Sequence, residues 1–149
     1  MPVSAQIPYS ALLYSGSTVT ATATSDFDMP NDIIGGEFIV DQGTGTGTSP
    51  TLDVSIQTSP DNGTTYYVAA RFAQLTTTAA KMKLTVSSRP TNVAGVAATI
   101  TAATGGALSG NFVFTRKMRV VATIGGTNPS YATIKVWFNG WRSIGGAEN

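Results

Sequence analysis

Apolar residues recur at every second position along much of this chain. In TLDVSIQTS (51–59), Leu52, Val54 and Ile56 share one side, and Asp53, Ser55 and Gln57 share the other. KMKLTVS (81–87) sets Met82, Leu84 and Val86 against Lys81, Lys83 and Thr85. In NFVFTRKMRVVATI (111–124), Phe112, Phe114, Met118, Val120 and Ala122 fall on one side, with Arg116 as the exception. YATIKVWF (131–138) places Ile134, Val136 and Phe138 opposite Tyr131, Thr133, Lys135 and Trp137. A period of two is the mark of strands covered on one face. Weaker strand candidates are residues 18–24, 37–40, 65–72 and 96–101, rich in the β-branched residues that suit a pleated surface.

Between these runs lie QGTGTGTSP, SPDNG, GGALSGN and GGTNPS, all written in turn residues. About eight short strands punctuated this way predict an all-β, antiparallel β-sandwich or jelly-roll-like fold. The expected organisation is an extended N-terminal arm over 1–17, a sandwich over 18–143 and a flexible tail over 144–149. The GTGTG stretch reads as a mobile loop, since ordered glycine loses the most conformational freedom. In the arm, Pro2 and Pro8 argue against helix, while Ile7, Tyr9, Leu12, Leu13 and Tyr14 are apolar. An exposed segment of that kind requires cover, either from its own sheet or from a neighbouring subunit.

The chain has no cysteine and no histidine. That removes thiol nucleophiles, Ser-His and Cys-His pairs, and the commonest zinc ligands. At 149 residues it is long enough to bury a core without disulfide or metal. Neither a secretory signal nor a membrane-length apolar run stands out. Charge is sparse but divided: residues 1–70 hold seven acids and no cation, whereas residues 71–149 hold all nine cations and one acid. Such asymmetry marks a nucleic-acid or membrane partner in some proteins. Here the cations are scattered, which favours antiparallel pairing that interleaves the halves.

SPDNG offers either a calcium loop or a hairpin. Asp61 is its single carboxylate and alternating strands flank it, so the hairpin is expected, with Asn62-Gly63 at the tip. The acids of DFDMPND (Asp26, Asp28, Asp32) read as a solvated loop rather than a cation site or a hydrolytic pair. The glycine pairs lack the strand–GxGxxG–helix setting of a nucleotide site, and no nucleophile elbow or phosphate-loop pattern appears. No catalytic, cofactor-binding or metal-binding residue is therefore assigned. Lys117, Arg119, Lys135 and Trp137 point outward on the alternation. If consecutive strands pair, they form one basic-aromatic patch, an interface anchor or a stacking platform unless the arm or a loop covers it. The face of Trp141, after a bend expected at Asn139-Gly140, is open.

LDVSIQTSPDNGTTYY, followed at a distance by RKMRVVATIGGTNPSYATIKVWFNG, is similar to a pattern in small structural proteins of tailed bacteriophages. One half of the pattern is L-x-V-x-x-Q-x-S-x-D leading into a hairpin. The other is R-V-x-x-T-x-G-G-T-x-P-S before a final alternating strand. The match covers roughly the last two-thirds of the chain. The resemblance implies a β-sandwich virion protein without catalytic residues or cofactor, most often a capsid decoration (cement) protein. It implies structural roles for Asp61 and Gly63 at the hairpin and for Gly125, Gly126, Asn128 and Pro129 at the last turn. The expected partners are the phage major capsid protein and further copies of the chain, with a trimer favoured, and the expected location is the capsid surface after synthesis in the host cytoplasm. The arm serves as a clasp in this reading. Competing readings are a neck, tail or baseplate component, and a carbohydrate-binding module using Trp137, Tyr66 or Tyr67. Nucleic-acid binding ranks last.

Overall fold

Alternation of β-branched and apolar residues is realised as seven strands, seen in a computed structural model that describes residues 6–87 and 114–143. The strands are β1 (Gln6–Val19), β2 (Ala23–Asp28), β3 (Ile33–Gln42), β4 (Gly45–Thr58), β5 (Tyr67–Arg71), β6 (Ala80–Ser87) and β7 (Lys117–Ser143). All pairings are antiparallel and belong to one curled sheet, and the described residues contain no helix. The expected strand at 96–101, the residues before Phe114 and the tail at 144–149 lie outside the described residues.

β7 is the spine. Its first part pairs with β2 on one side and β4 on the other, with Val120 opposite Ser25 and Ile56. Its last part lies between β1 and β3, with Phe138 opposite Ala11 and Phe38. β5 continues the sheet beyond β4, and β6 continues it beyond β3. A straight strand of this length would extend roughly 90 Å. A compact chain of this size has a radius of gyration of about 15 Å, so the strand must bend.

The bend is written in glycine and asparagine. Gly126 (φ 106°) and Asn128 (φ 49°) on β7 face Gly47 (φ 111°) and Ser49 (φ 49°) on β4, and Thr18 (φ 51°) sits near the end of β1. Only glycine adopts such angles without steric cost. A Cβ on Gly126 would also lie 2.7 Å from the Ser49 carbonyl oxygen. Pairing of β4 with β7 slips at this level, between Thr46 and Thr48 and again between Thr48 and Thr51. Irregularities of this kind deflect paired strands together.

Two expectations are corrected here. GGTNPS does not reverse the chain: the strand kinks and continues, because its neighbours kink with it and keep their hydrogen bonds. GTGTG is not a free loop but the beginning of β4, held by the ladder to Ser130 and Tyr131. The ladder also bridges the β3–β4 junction, where Gly43 N–H donates to the Thr133 carbonyl at 2.8 Å and Ala132 N–H to that of Thr44 at 3.1 Å.

One apolar cluster lines the inner face of β7 on both sides of the bend. Met118, Val120 and Ala122 lie with Leu52, Val54 and Ile56 before the bend; Ile134, Val136 and Phe138 lie with Phe38 and Val40 after it. Phe38 and Phe138 pack with ring centroids 4.9 Å apart and planes tilted by 47°, and Phe114 meets Phe138 edge-on at 5.8 Å. The Phe138 ring occupies room left by Gly140, where a Cβ would sit 2.5 Å from it. Tyr131, expected outward, is fully buried, because Ala132 and Thr133 are both exposed and break the alternation beside the bend.

Residues 6–19 are not a free arm. They form β1 against β7 of the same chain, with Leu13 in the core and Tyr9 and Tyr14 packed against it.

Candidate functional site

The outward side of β7 before the bend carries Lys117, Arg119, Val121 and Thr123, and its two cations are engaged within the chain. Lys117 Nζ lies 2.6 Å from Asp28 Oδ1, and this lysine holds the Asp28 carboxyl below the usual carboxylate range. Arg119 Nε donates to Gln57 Oε1 at 2.6 Å, and its guanidinium sits 4.1 Å from the Tyr66 ring centroid. Asp26 lies beside Arg119 in the strand register.

Asp61 organises the adjoining turn, which joins β4 to β5 as a hairpin. Its Oδ1 accepts from the Thr65 backbone N–H at 2.7 Å and from the Ser59 hydroxyl at 2.9 Å, and the same hydroxyl accepts from Gly63 N–H. These donors, Thr65 first, hold the carboxyl at a pKa of about 2. Asn62 and Gly63 take the positive φ angles that the turn requires.

After the bend the outward side changes character. Trp137 is 36% exposed, Trp141 48% and Leu12, opposite Trp137, 47%. Ile39 flanks Trp137 on the other side, and Pro8 lies opposite Trp141. Asn139 stands between the tryptophans, its Oδ1 accepting from the Ser10 hydroxyl at 2.8 Å. Ion pairs border this strip: Lys83–Glu37 at 3.3 Å, Lys81–Asp41 at 3.8 Å and Arg142–Asp32 at 2.9 Å. A shallow depression beside Trp141 is floored by Gly35 and Gly36 and walled by Glu37, Thr85 and Gln6.

Among the described residues, every ion pair joins an acid from the first seventy positions to a cation from the rest. The sequence's charge division is thus interleaved by antiparallel pairing. The acids of DFDMPND do not sit in one loop: Asp26 and Asp28 belong to β2, and Asp28 and Asp32 each hold a cation.

The nine interface candidates are dispersed. Lys117 and Arg119 occupy one side of the bend, Lys135 and Trp137 the other, so the single basic-aromatic patch does not form. That patch required the chain to reverse at GGTNPS. Ile7 and Leu12 are exposed, Tyr9 and Tyr14 are half-buried, and Leu13 is buried. The face of Trp141, left open by the sequence, is outward beside Asn139, and Ile39 was not among the candidates. Trp141 lies four positions after Trp137, on the same alternation, but Asn139-Gly140 read as a bend hid it. No helix in the described residues is long and apolar enough to cross a membrane.

No protein-family model matches this chain, and no curated protein is significantly similar to it.

Proposed function

We propose that this chain is a non-enzymatic structural protein of a tailed-phage virion, and within that class a capsid decoration protein. The observation that carries the reading is the meeting of the two halves of the phage-like pattern. Gln57 of L-x-V-x-x-Q and Arg119 of R-V-x-x-T stand opposite each other and share the 2.6 Å hydrogen bond. The pattern's Ser59 and Asp61 bond to each other in the hairpin, and its Gly126 takes a positive φ at the bend. Residues more than sixty positions apart thus make one structural unit, as a pattern with a structural rather than chemical role requires.

The outward strip around Trp137, Trp141 and Leu12 fits assembly by surface contact, with an apolar centre and a charged rim. Many copies on a shell bind firmly through modest individual contacts. We further read the curled sheet as a β-sandwich of jelly-roll type, its two parts closing over the shared core. Nuclear Overhauser contacts between Val54 or Ile56 methyls and the Phe138 ring test that closure, and their absence refutes it.

The functional test is the composition of purified virions from the phage that encodes the chain. Copy number comparable to a sizeable fraction of the major capsid protein supports decoration. A single small ring per particle moves the protein to the neck, tail or baseplate, and absence from the particle overturns the reading.

A carbohydrate-binding module is the second reading. Two exposed tryptophans on one strand, with Asn139 between them, favour it; Tyr66, in contrast, is engaged by Arg119. A glycan array tests it, with Trp141→Ala as control.

A further inference from the structure

The strands at the margins of the sheet are not alike. A strand edge is a row of backbone donors and acceptors that templates another strand, and proteins guard such edges with charge, proline or bulges, or cover them. β6 carries Lys81 and Lys83, both exposed; β2 carries Asp26 and Asp28; β5 ends in Arg71. β1, fourteen residues long, has one partner strand among the described residues and no charged side chain at all. Its first regular interruptions are Pro8 and the slip between Leu12 and Tyr14. Between them, Tyr9 to Leu12 form an unguarded stretch, and Leu12 is exposed beside the exposed Trp137.

We infer that a second copy of this chain pairs with β1 through its own β1, antiparallel, about a two-fold axis at Ser10. Residues directly opposite in an antiparallel pair face the same side of the sheet. Pro8, Ser10 and Leu12 face outward with Trp141, Asn139 and Trp137, so they must meet outward residues of the second copy. An axis at Ser10 satisfies this and sets Leu12 of each copy against Pro8 of the other, where the ladder ends because Pro8 has no N–H to donate. The outward row Trp137–Leu12 then runs on into Pro8–Trp141 of the second copy, twice over. Between these two apolar rows, the polar row Asn139–Ser10 meets its own copy. On the inner side, Tyr9 meets Ala11, large against small.

Charge selects the same partner. A closed ring of three requires β1 to meet a different edge of the next copy. Each alternative edge would set this uncharged strand against lysines, aspartates or Arg71. Pairing β1 with itself brings no charge into the junction. The inference concerns how copies meet, and it stands whether or not the virion reading holds.

Three measurements decide it. Light scattering behind a sizing column is expected to give a mass about twice 15.4 kDa. Ser10→Lys places two like charges opposite each other and weakens the dimer by about tenfold or more, while Thr85→Lys, on β6, leaves it unchanged. Ser10 is exposed, and circular dichroism checks that the variant folds. The chain has no cysteine, so Ser10→Cys introduces a single thiol. Opposite residues stand about 4.5–5.5 Å apart at Cα, within disulfide reach, so mild oxidation yields a covalent dimer. A monomer at high micromolar concentration overturns the inference, as does a trimer or larger ring. So does a dimer that Ser10→Lys leaves intact and Ser10→Cys fails to cross-link, which would place the contact on another surface.

Discussion

Before its bend, β7 turns Lys117, Arg119, Val121 and Thr123 outward; after it, Lys135, Trp137, Asn139 and Trp141. The inner residues of the two parts are interchangeable in kind: Met118, Val120 and Ala122 against Ile134, Val136 and Phe138, all buried. The outer residues are not. Lys117 and Arg119 are held by Asp28, Gln57 and Tyr66, so their contacts close within the chain. Trp137, Trp141 and Leu12 keep between a third and a half of their surface in water. The inner pattern specifies how the chain folds, and the same strand uses its outer pattern for polar stitching in one part and for apolar display in the other. That separation is why a fold can be legible while a partner is not.

The comparison breaks if the two parts fold separately, and core substitutions test this with the largest effects. Met118→Ala before the bend should destabilise by about 2–5 kcal/mol, and Phe138→Ala after it by about 3–5 kcal/mol, through lost burial and a residual cavity. Both tryptophans lie after the bend, so their fluorescence reports on that part alone, whereas far-ultraviolet dichroism reports on the whole sheet. For one cooperative unit, denaturant transitions by the two probes coincide and Met118→Ala shifts both equally. A fluorescence transition that ignores Met118→Ala would show two independent parts.

The bend gives the next largest effect. Gly126→Val forces a branched side chain into a positive φ, against the Ser49 carbonyl. A loss of about 1–3 kcal/mol is expected, with both probes again moving together. An unchanged midpoint would mean that the strands bend without this angle.

Acid provides a subtler probe, confined to the polar part. Asp61 is held at a pKa of about 2 by the donors from Thr65 and Ser59. A carboxyl depressed below its unfolded value of about 3.9 stabilises the fold fully above that value. The contribution fades as pH falls from about 4 towards 2, because the unfolded chain binds the proton more readily. Thermal melts of Asp61→Asn should therefore vary less over that window than those of the parent. Equal slopes would show that the turn does not depend on the charge.

How much of this the sequence disclosed follows from what periodicity can encode. The alternations at 52–56, 82–86 and 134–138 placed the core correctly, since each depends on neighbours two residues away. The hairpin at Asn62-Gly63 was legible for the same local reason. GGTNPS was not. Glycine and asparagine at positive φ serve a reversal or a kink equally, and only the partner strand decides which, through the matching irregularity at Gly47 and Ser49. The misread bend separated Lys117 and Arg119 from Lys135 and Trp137, so the patch that sequence adjacency implied dissolved. Tyr131 failed by the same mechanism one residue later. The strip that replaced the patch is assembled from β1, β3 and β7, whose register no local pattern carries.

The smallest effects on stability sharpen the comparison most. Arg119→Ala removes a hydrogen bond from a charged donor and its contact with the Tyr66 ring. It should cost about 1 kcal/mol, discounted for partial exposure. Trp137→Ser should cost about 1–2 kcal/mol, since the ring covers its strand neighbours Leu12 and Ile39 and a strand favours an aromatic residue over serine, but it leaves no sealed cavity. A tryptophan is nevertheless a large apolar surface to keep wet, and water gains when a partner covers it. If the outward strip exists for contact, Trp137→Ser should lower the melting temperature by only a few degrees and weaken whatever association the parent shows by about tenfold or more under conditions where the variant is fully folded. Arg119→Ala should leave that association intact. A Trp137→Ser variant that melts lower with association intact would make the strip a stabilising part of the fold, and the two sides of the bend would then differ only in chemistry, not in purpose.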